Sequence, residues 1–249
     1  MEFKTEAFLE SFLSAVRYIP VTIELSAVTF IVSLILGAVI ATVRHYRVKV
    51  LSQLLAFFVT VYMGMPMMVA LVLYNLIFMT CYPDFAGRFG IKIPISEINP
   101  IFIGFFALIL GYTCILSEAV RGAYKGVAKI QFEAGYSIGL TKFQTLRRII
   151  LPQMIPILLP GIQNSMIGLL KASNLVSAIS VIEVMNGALL PSVRYYSYLE
   201  AYVAAALVYW MIGIVIELIA HFTEKRIENY KEVNCRDRAN RGKEMLWQT

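Results

Sequence analysis

Residues 131–153 read QFEAGYSIGLTKFQTLRRIILPQ, a polar, charged interruption between apolar segments long enough to cross a bilayer. Phe132 and Tyr136 stand four apart, as on one face of a helix. Gly139 then falls where a helix C-terminus takes a residue that tolerates positive φ. Thr141 and Gln144 have the capping-box spacing: the threonine oxygen accepts from the Gln144 amide while the glutamine side chain accepts from the Thr141 amide. A second helix therefore starts at once. Lys142, Arg147 and Arg148 mark its polar side, and Phe143, Leu146 and Ile150 recur at helical spacing on the other. The stretch reads as helix, glycine elbow, helix. A side chain at position 139 is expected to be strained and to hold the two backbones apart, β-branched residues most of all.

Outward from this stretch the chain is apolar. Of 249 residues, 59% are hydrophobic and 15% charged, with mean hydropathy +0.71, which leaves little room for a soluble domain and points to one membrane domain. Upstream, Pro100 to Ser117 forms a span that ends at Glu118 and Arg121, three apart on one helical face and placed to form an ion pair. Downstream, Leu151 to Leu170 forms another, with Pro152, Pro156 and Pro160 four apart, so a kinked or irregular start is expected. Ala172 to Ile182 is too short to cross and reads as a half-helix or re-entrant segment. Ala201 to Phe222 is the last span, preceded by Tyr195, Tyr196, Tyr198 and Tyr202 as an aromatic belt.

Towards the N-terminus, Leu51 to Tyr82 has no charged residue, but its 32 residues exceed the roughly 20 that a straight crossing needs. Gly64-Met65-Pro66 is the expected break. Tyr82 to Asn99 reads as an external loop. Pro20 to Thr42 is the first span, followed by Arg44, His45, Arg47 and Lys49. Residues 1–18 read as an amphipathic helix in the interface, with Phe8, Leu9, Phe12, Leu13 and Val16 as its apolar face. They do not read as a cleavable signal peptide, because the start is acidic and no compact apolar core with a small-residue cleavage site follows. The expected divisions are 1–18, a permease domain over 19–222 containing the 131–151 elbow region, and a mixed-charge, partly disordered tail over 223–249.

Five crossings result, in an all-α integral membrane protein. Segments 43–50, 121–151 and 222–249 hold 16 of the 22 lysines and arginines. Short cytoplasmic loops collect such charge, so these segments are expected inside and the N-terminus outside. The net charge of +6 is explained by the membrane rather than by nucleic acid, since the basic blocks flank spans and carry no aromatic platform. Cys81, Cys114 and Cys235 have unrelated spacings and no histidine cluster nearby, so neither disulfides nor a metal site is expected. Met63 to Met68 reads as adaptable packing.

Glu133-Ala134-Gly135, three residues, Gly139, nine residues and Ile149-Ile150-Leu151-Pro152 together resemble the EAA signature of bacterial ABC-importer permeases. Gly135 departs from it, since alanine is usual there. The resemblance covers roughly Val21 to Tyr230 and is closest to the polar amino-acid permeases. Thr22-Ile23-Glu24-Leu25, Glu118-Ala119-Val120-Arg121-Gly122-Ala123 and Ser173-Asn174-Leu175-Val176-Ser177 are similar to that subfamily's segments. Met63-Gly64-Met65-Pro66 and Ala172 depart from it by removing polar groups near the pore.

The resemblance implies a type I importer permease fold in the bacterial cytoplasmic membrane. It implies a cytoplasmic coupling helix in which Glu133, Ala134, Gly135, Gly139, Ile149, Leu151 and Pro152 meet an ATP-binding subunit. It also implies two copies of that subunit, a second permease copy or paralogue, and an extracytoplasmic substrate-binding protein. The chain contains no G-x-x-x-x-G-K-[ST], so ATP and Mg belong to the partner and no cofactor to this chain. The expected cargo is a polar amino acid, with cystine, basic, acidic and amide side chains all open. Asn75, Asn164, Ser165, Ser173 and Asn174 are the candidate substrate pathway, set against simple hydrogen bonding between helices. Glu24 and Glu183 are the acidic groups to examine for cation selectivity, and Lys171 is expected to snorkel.

Three other classes were weighed. An amphipathic helix lying on lipid needs no glycine elbow. A membrane-embedded enzyme finds no support in His45 and His221, which both sit at span ends. An ion-driven carrier or channel would show inverted repeats and ionisable residues in mid-span.

Overall fold

The computed structural model describes residues 3–246, with side chains through Thr223 and at Lys225. In chain order it contains α1 (Thr5–Arg17), α2 (Ile19–His45), α3 (Leu51–Met63), α4 (Met67–Phe89), α5 (Ile101–Gly126), α6 (Lys129–Ser137), α7 (Lys142–Thr145), a π-helical turn (Leu146–Ile150), α8 (Leu151–Ala172), a 3-10 stretch (Ser173–Ile179), α9 (Val184–Tyr195) and α10 (Tyr198–Leu246). No strand occurs among the described residues. Five segments are long and apolar enough to cross a membrane: Ile19–His45, Met67–Phe89, Ile101–Gly126, Lys142–Ile179 and Tyr198–Thr223.

The pairing of α2 with α5 is the spine, and its cause lies in small residues. α2 buries Thr22, Leu25, Thr29, Ser33, Gly37 and Ala41, spaced three or four apart. Ile31, Ile35 and Val39 on the opposite face stay exposed. Between lipid-like surroundings and a helix there is little hydrophobic drive, so association favours small residues that let backbones approach. A β-carbon at Gly37 would come within 2.9 Å of the Ser117 amide nitrogen and 3.1 Å of the Thr113 carbonyl oxygen. Ser33 also donates to the Ile109 carbonyl at 3.1 Å. Small residues carry little hydrophobic signal, so apolar periodicity does not mark this seam.

Around the spine, Leu25, Leu71, Leu108, Leu169 and Val176 join α2, α4, α5, α8 and the 3-10 stretch in one apolar cluster. A second cluster joins α1, α8, α9 and α10 through Ala15, Leu170, Val184, Ala188 and Val208. α1 thus packs on the bundle by Ala7, Ser11 and Ala15. Of the apolar face read for an interfacial helix, Leu9, Leu13 and Val16 stay exposed, while Phe12 packs against the second cluster.

The break at Gly64–Pro66 is where the composition places it, between α3 and α4. Met65 within it packs beside Val59, Tyr62 and Cys114, and Met67 packs against the main cluster, as the packing reading expects, whereas Met63 and Met68 are exposed. Three expectations change. The region read as a loop after Tyr82 is helical through Phe89, with Pro83 inside the helix and Gly90 at φ +66 closing it. The irregularity expected among Pro152, Pro156 and Pro160 lies instead before them, as the π-turn at Leu146–Ile150, and α8 continues through both later prolines. The tail read as partly disordered has a helical backbone through Leu246.

Candidate functional site

The 131–153 stretch folds as its residues dictate. α6 ends at Ser137, and the Leu140 amide donates back to the Gly135 carbonyl at 3.1 Å, a Schellman-type closure around Gly139 at φ +80. Both halves of the capping box form: the Gln144 amide donates to Thr141 Oγ1 at 3.3 Å, and the Thr141 amide to Gln144 Oε1 at 2.9 Å. One expectation fails at Gly139. A β-carbon there meets nothing within 4 Å, so the elbow needs glycine for its φ alone and not for space.

The close approach is at Gly135. A β-carbon on it would lie 2.6 Å from Thr145 Cγ2, 2.9 Å from Thr145 Oγ1 and 3.2 Å from Ile149 Cδ1. Gly135 is the buried residue of α6. The alanine usual in the signature would collide with this threonine, which accounts for the departure by local packing. The two helices therefore close on each other through Gly135, Thr145 and Ile149.

An aromatic stack fastens the elbow to the bundle. The His45 ring lies 4.3 Å from that of Tyr124 and 5.3 Å from that of Phe132, in stacked arrangements. Lys142 Nζ sits 5.9 Å from the centroid of Tyr46. Burial, and then the neighbouring Tyr136, push the Tyr46 hydroxyl up to about 12. Gln153 Nε2 donates to the Ile149 carbonyl at 2.8 Å and to Gln131 Oε1 at 3.4 Å, tying the two ends of the stretch together. The histidine stack was not foreseen, because His45 and Phe132 are far apart in sequence.

The outward side of the elbow is apolar although it lies beside, not within, the apolar spans. Ile130 (64%), Ile138 (74%) and Phe143 (69%) are largely exposed, with Tyr136 less so. Phe143, read as part of a packed face, points away from the bundle. Glu133 and Ala134 are exposed among these residues, Ile149 is half-buried, and Leu151 and Pro152 are exposed. An exposed apolar patch rimmed by charge marks a contact with protein or with the membrane surface.

Next to the elbow, Glu118 bonds Arg121 through two nitrogens, as its spacing suggests, and also accepts from Arg44 at 2.5 Å. The pair is thus a triad joining α2 to α5, and its third member was invisible in sequence.

The candidate pathway residues are not gathered into one cavity. Ser165 and Ser173 are buried and donate to the Gly161 and Leu170 carbonyls of their own helix, both at 2.7 Å. Asn164 is exposed and lines a cleft between α8 and α10 with Gln163, Glu217 and His221. Asn174 is half-buried, and Asn75 Oδ1 is buried on α4 without a hydrogen-bond partner. α4 packs against the 3-10 stretch that carries Ser173 and Asn174. Glu183 is fully buried and caps α9, accepting from the amides of Met185 at 2.9 Å and Asn186 at 3.3 Å, so it is no exposed selectivity group. Glu24 faces outward from α2, and Lys171 is exposed. Among the described residues, no cluster of His, Cys, Asp or Glu could hold a metal ion.

A bundle with five apolar spans, interrupted by a two-helix elbow with an exposed apolar face, defines a multi-pass membrane component. Residues 33–229 match the family described as binding-protein-dependent transport system inner membrane component, and the chain belongs to it: it is an ABC-importer permease, a transport subunit. The chain is similar to the probable amino-acid ABC transporter permease protein PatM of Vibrio harveyi, 28% identical over 91% of this chain and 97% of that protein. It is also similar to the L-cystine transport system permease protein TcyL of Bacillus subtilis, 31% identical over 85% and 86%. A solved structure described as an amino acid ABC transporter with histidines superposes with a TM-score of 0.75 at 23% identity, over 91% of this chain and all of that one. That likeness establishes the type I permease fold.

Proposed function

We propose that this permease imports a polar amino acid by alternating access and is driven at the 131–153 elbow by a separate ATP-binding subunit. The carrying observation is the elbow's outward face, where Ile130, Ile138 and Phe143 are exposed around Glu133 on a frame locked by Gly135, Gly139 and the capping box. A rigid lever with an apolar, acid-marked surface suits a subunit that delivers mechanical work. ATP and Mg are bound by that partner, present in two copies, and this chain needs no cofactor of its own. A second permease copy or paralogue completes the pore, and an extracytoplasmic binding protein supplies the cargo. The relatives' names favour an amino acid, cystine and glutamine among them. In this reading the elbow and the C-terminus lie in the cytoplasm and the N-terminus outside, which the distribution of basic residues around the spans supports.

The coupling reading is tested with Glu133→Ala and Gly139→Val in proteoliposomes. Both variants are expected to insert normally but to lose co-purification of the ATPase or to hydrolyse ATP without uptake. Asparagine tolerates positive φ, so Gly139→Asn should keep most coupling. Full coupled uptake by Glu133→Ala and Gly139→Val would overturn the reading.

The substrate path is proposed along α4, α8 and the 3-10 stretch, through Asn75, Asn164, Ser165, Ser173 and Asn174. Asn75 has the strongest support, because its buried, unpartnered oxygen is available to a ligand's N–H. Asn75→Leu is expected to raise the KM for uptake about tenfold, the loss of one good hydrogen bond. An unchanged KM would remove Asn75 from the path.

A further inference from the structure

α2 turns into α3 around a cavity of about 600 Å³. Arg44, Arg47, Lys49 and Arg121 line it, together with Ser52 and Gln53 from the first turn of α3. Among the described residues no carboxylate lines it. Glu118 lies behind Arg44 and Arg121, so one negative charge faces four positive ones. That carboxylate holds Arg44, whose side chain is only 12% exposed, and engages one of its five donors. Arg47 and Lys49 form no ion pair among the described residues. The start of α3, a helix of 13 residues, borders the same space; its Ser52, Gln53 and Leu54 amides are taken by the Val48, Lys49 and Val50 carbonyls, so it contributes the positive end of the helix dipole rather than free donors.

The cavity also has an apolar border. Val50 (70% exposed), Leu54 (60%), Phe57 (71%) and Val61 (56%) share one face of α3, beside the face that carries Gln53. The stripe runs from the cavity along a helix at the end of a membrane span. A free anion has no use for it, whereas an acyl chain does.

We infer that this cavity binds the phosphate of an anionic phospholipid, with the acyl chains laid along the outer face of α3. Arg44 and Arg121, positioned by Glu118, form the floor, and Arg47 and Lys49 form the rim. Only the choice of leaflet rests on the orientation proposed above. The chemistry of the cavity does not.

The test uses the full-length transporter purified with the subunits that accompany it, incubated with phosphatidylglycerol or phosphatidylcholine, with retained lipid read by native mass spectrometry. Phosphatidylglycerol is expected to be retained and phosphatidylcholine not. The double variant Arg47→Asn/Lys49→Gln should weaken retention about thirtyfold, from roughly fivefold for each basic side chain near an anionic surface. Asparagine suits the positive φ of 50° at Arg47, so the turn is kept, and the charge-preserving Lys49→Arg should bind as the parent does. Equal retention of the two lipids, or retention unchanged in the double variant, overturns the proposal. Displacement of the lipid by millimolar inorganic phosphate would make this a free-anion site and overturn it too. Loss of an accompanying subunit with lipid retention intact would make it a protein contact, with the same consequence. Retention is read without transport, so failure here leaves the importer reading standing, and failure of that reading leaves this one.

Discussion

Gly135 and Gly139 are both glycines of the elbow, but different physics fixes each. At 139 the constraint is φ +80 in open space; at 135 it is contact with Thr145, under an ordinary helical backbone. Gly135→Ala is therefore expected to destabilise the elbow by about 1–3 kcal/mol, as overpacking does, and to lower coupled uptake. Thr145→Ala removes the two nearest of the three atoms that the new β-carbon would meet, leaving Ile149 Cδ1 at 3.2 Å, along with a buried hydroxyl that has no partner. The double variant should regain most of the lost thermal stability. A double variant no better than Gly135→Ala would show that the contact does not explain the departure from alanine.

Among the elements, the junction of α2, α9 and α10 hangs on one carboxylate. Glu183 caps α9 and accepts from Thr22 Oγ1 at 3.4 Å and from the Tyr209 hydroxyl, while the Val184 amide donates to Thr22 at 3.2 Å. Removing it leaves the amides of a helix start and a tyrosine hydroxyl without their acceptor. Glu183→Ala is expected to cost about 2–4 kcal/mol, from a lost cap of about 1 and an unsatisfied buried hydroxyl of about 1–3. Glu183→Gln keeps an acceptor oxygen and should lose less. Thermal melting of the purified permease ranks the two, and equal melting of both variants and the parent would deny Glu183 this clamping role.

For the molecule as a whole, the proposed sidedness rests on the charge placed around five spans. In a cysteine-free background, Arg88→Cys should react with a membrane-impermeant maleimide in intact cells, and Lys142→Cys only after permeabilisation. The opposite pattern would put the elbow outside and remove it from the reach of a cytoplasmic ATPase.

Sequence alone determined the features that are local. Span number follows from runs of apolar residues, the break before α4 from Gly64 and Pro66, and the two-helix elbow from Gly139 with Thr141 and Gln144, because each depends on residues within a few positions of one another. The small-residue seam of α2 was also written in the chain, at Thr22, Thr29, Ser33, Gly37 and Ala41. It is legible only to a search that expects small residues, rather than large ones, to face a partner helix in lipid. Tertiary structure decided the rest. It set Gly135 against Thr145, brought Arg44 to Glu118, stacked His45 on Phe132, turned α1 so that alanines face the bundle, and buried Glu183 where an exposed acid was sought. Apart from Gly135 and Thr145, which the elbow folds together from ten residues apart, these are contacts across many tens of residues or more, and no spacing in a linear chain encodes which distant side chain will fill the space beside a given backbone.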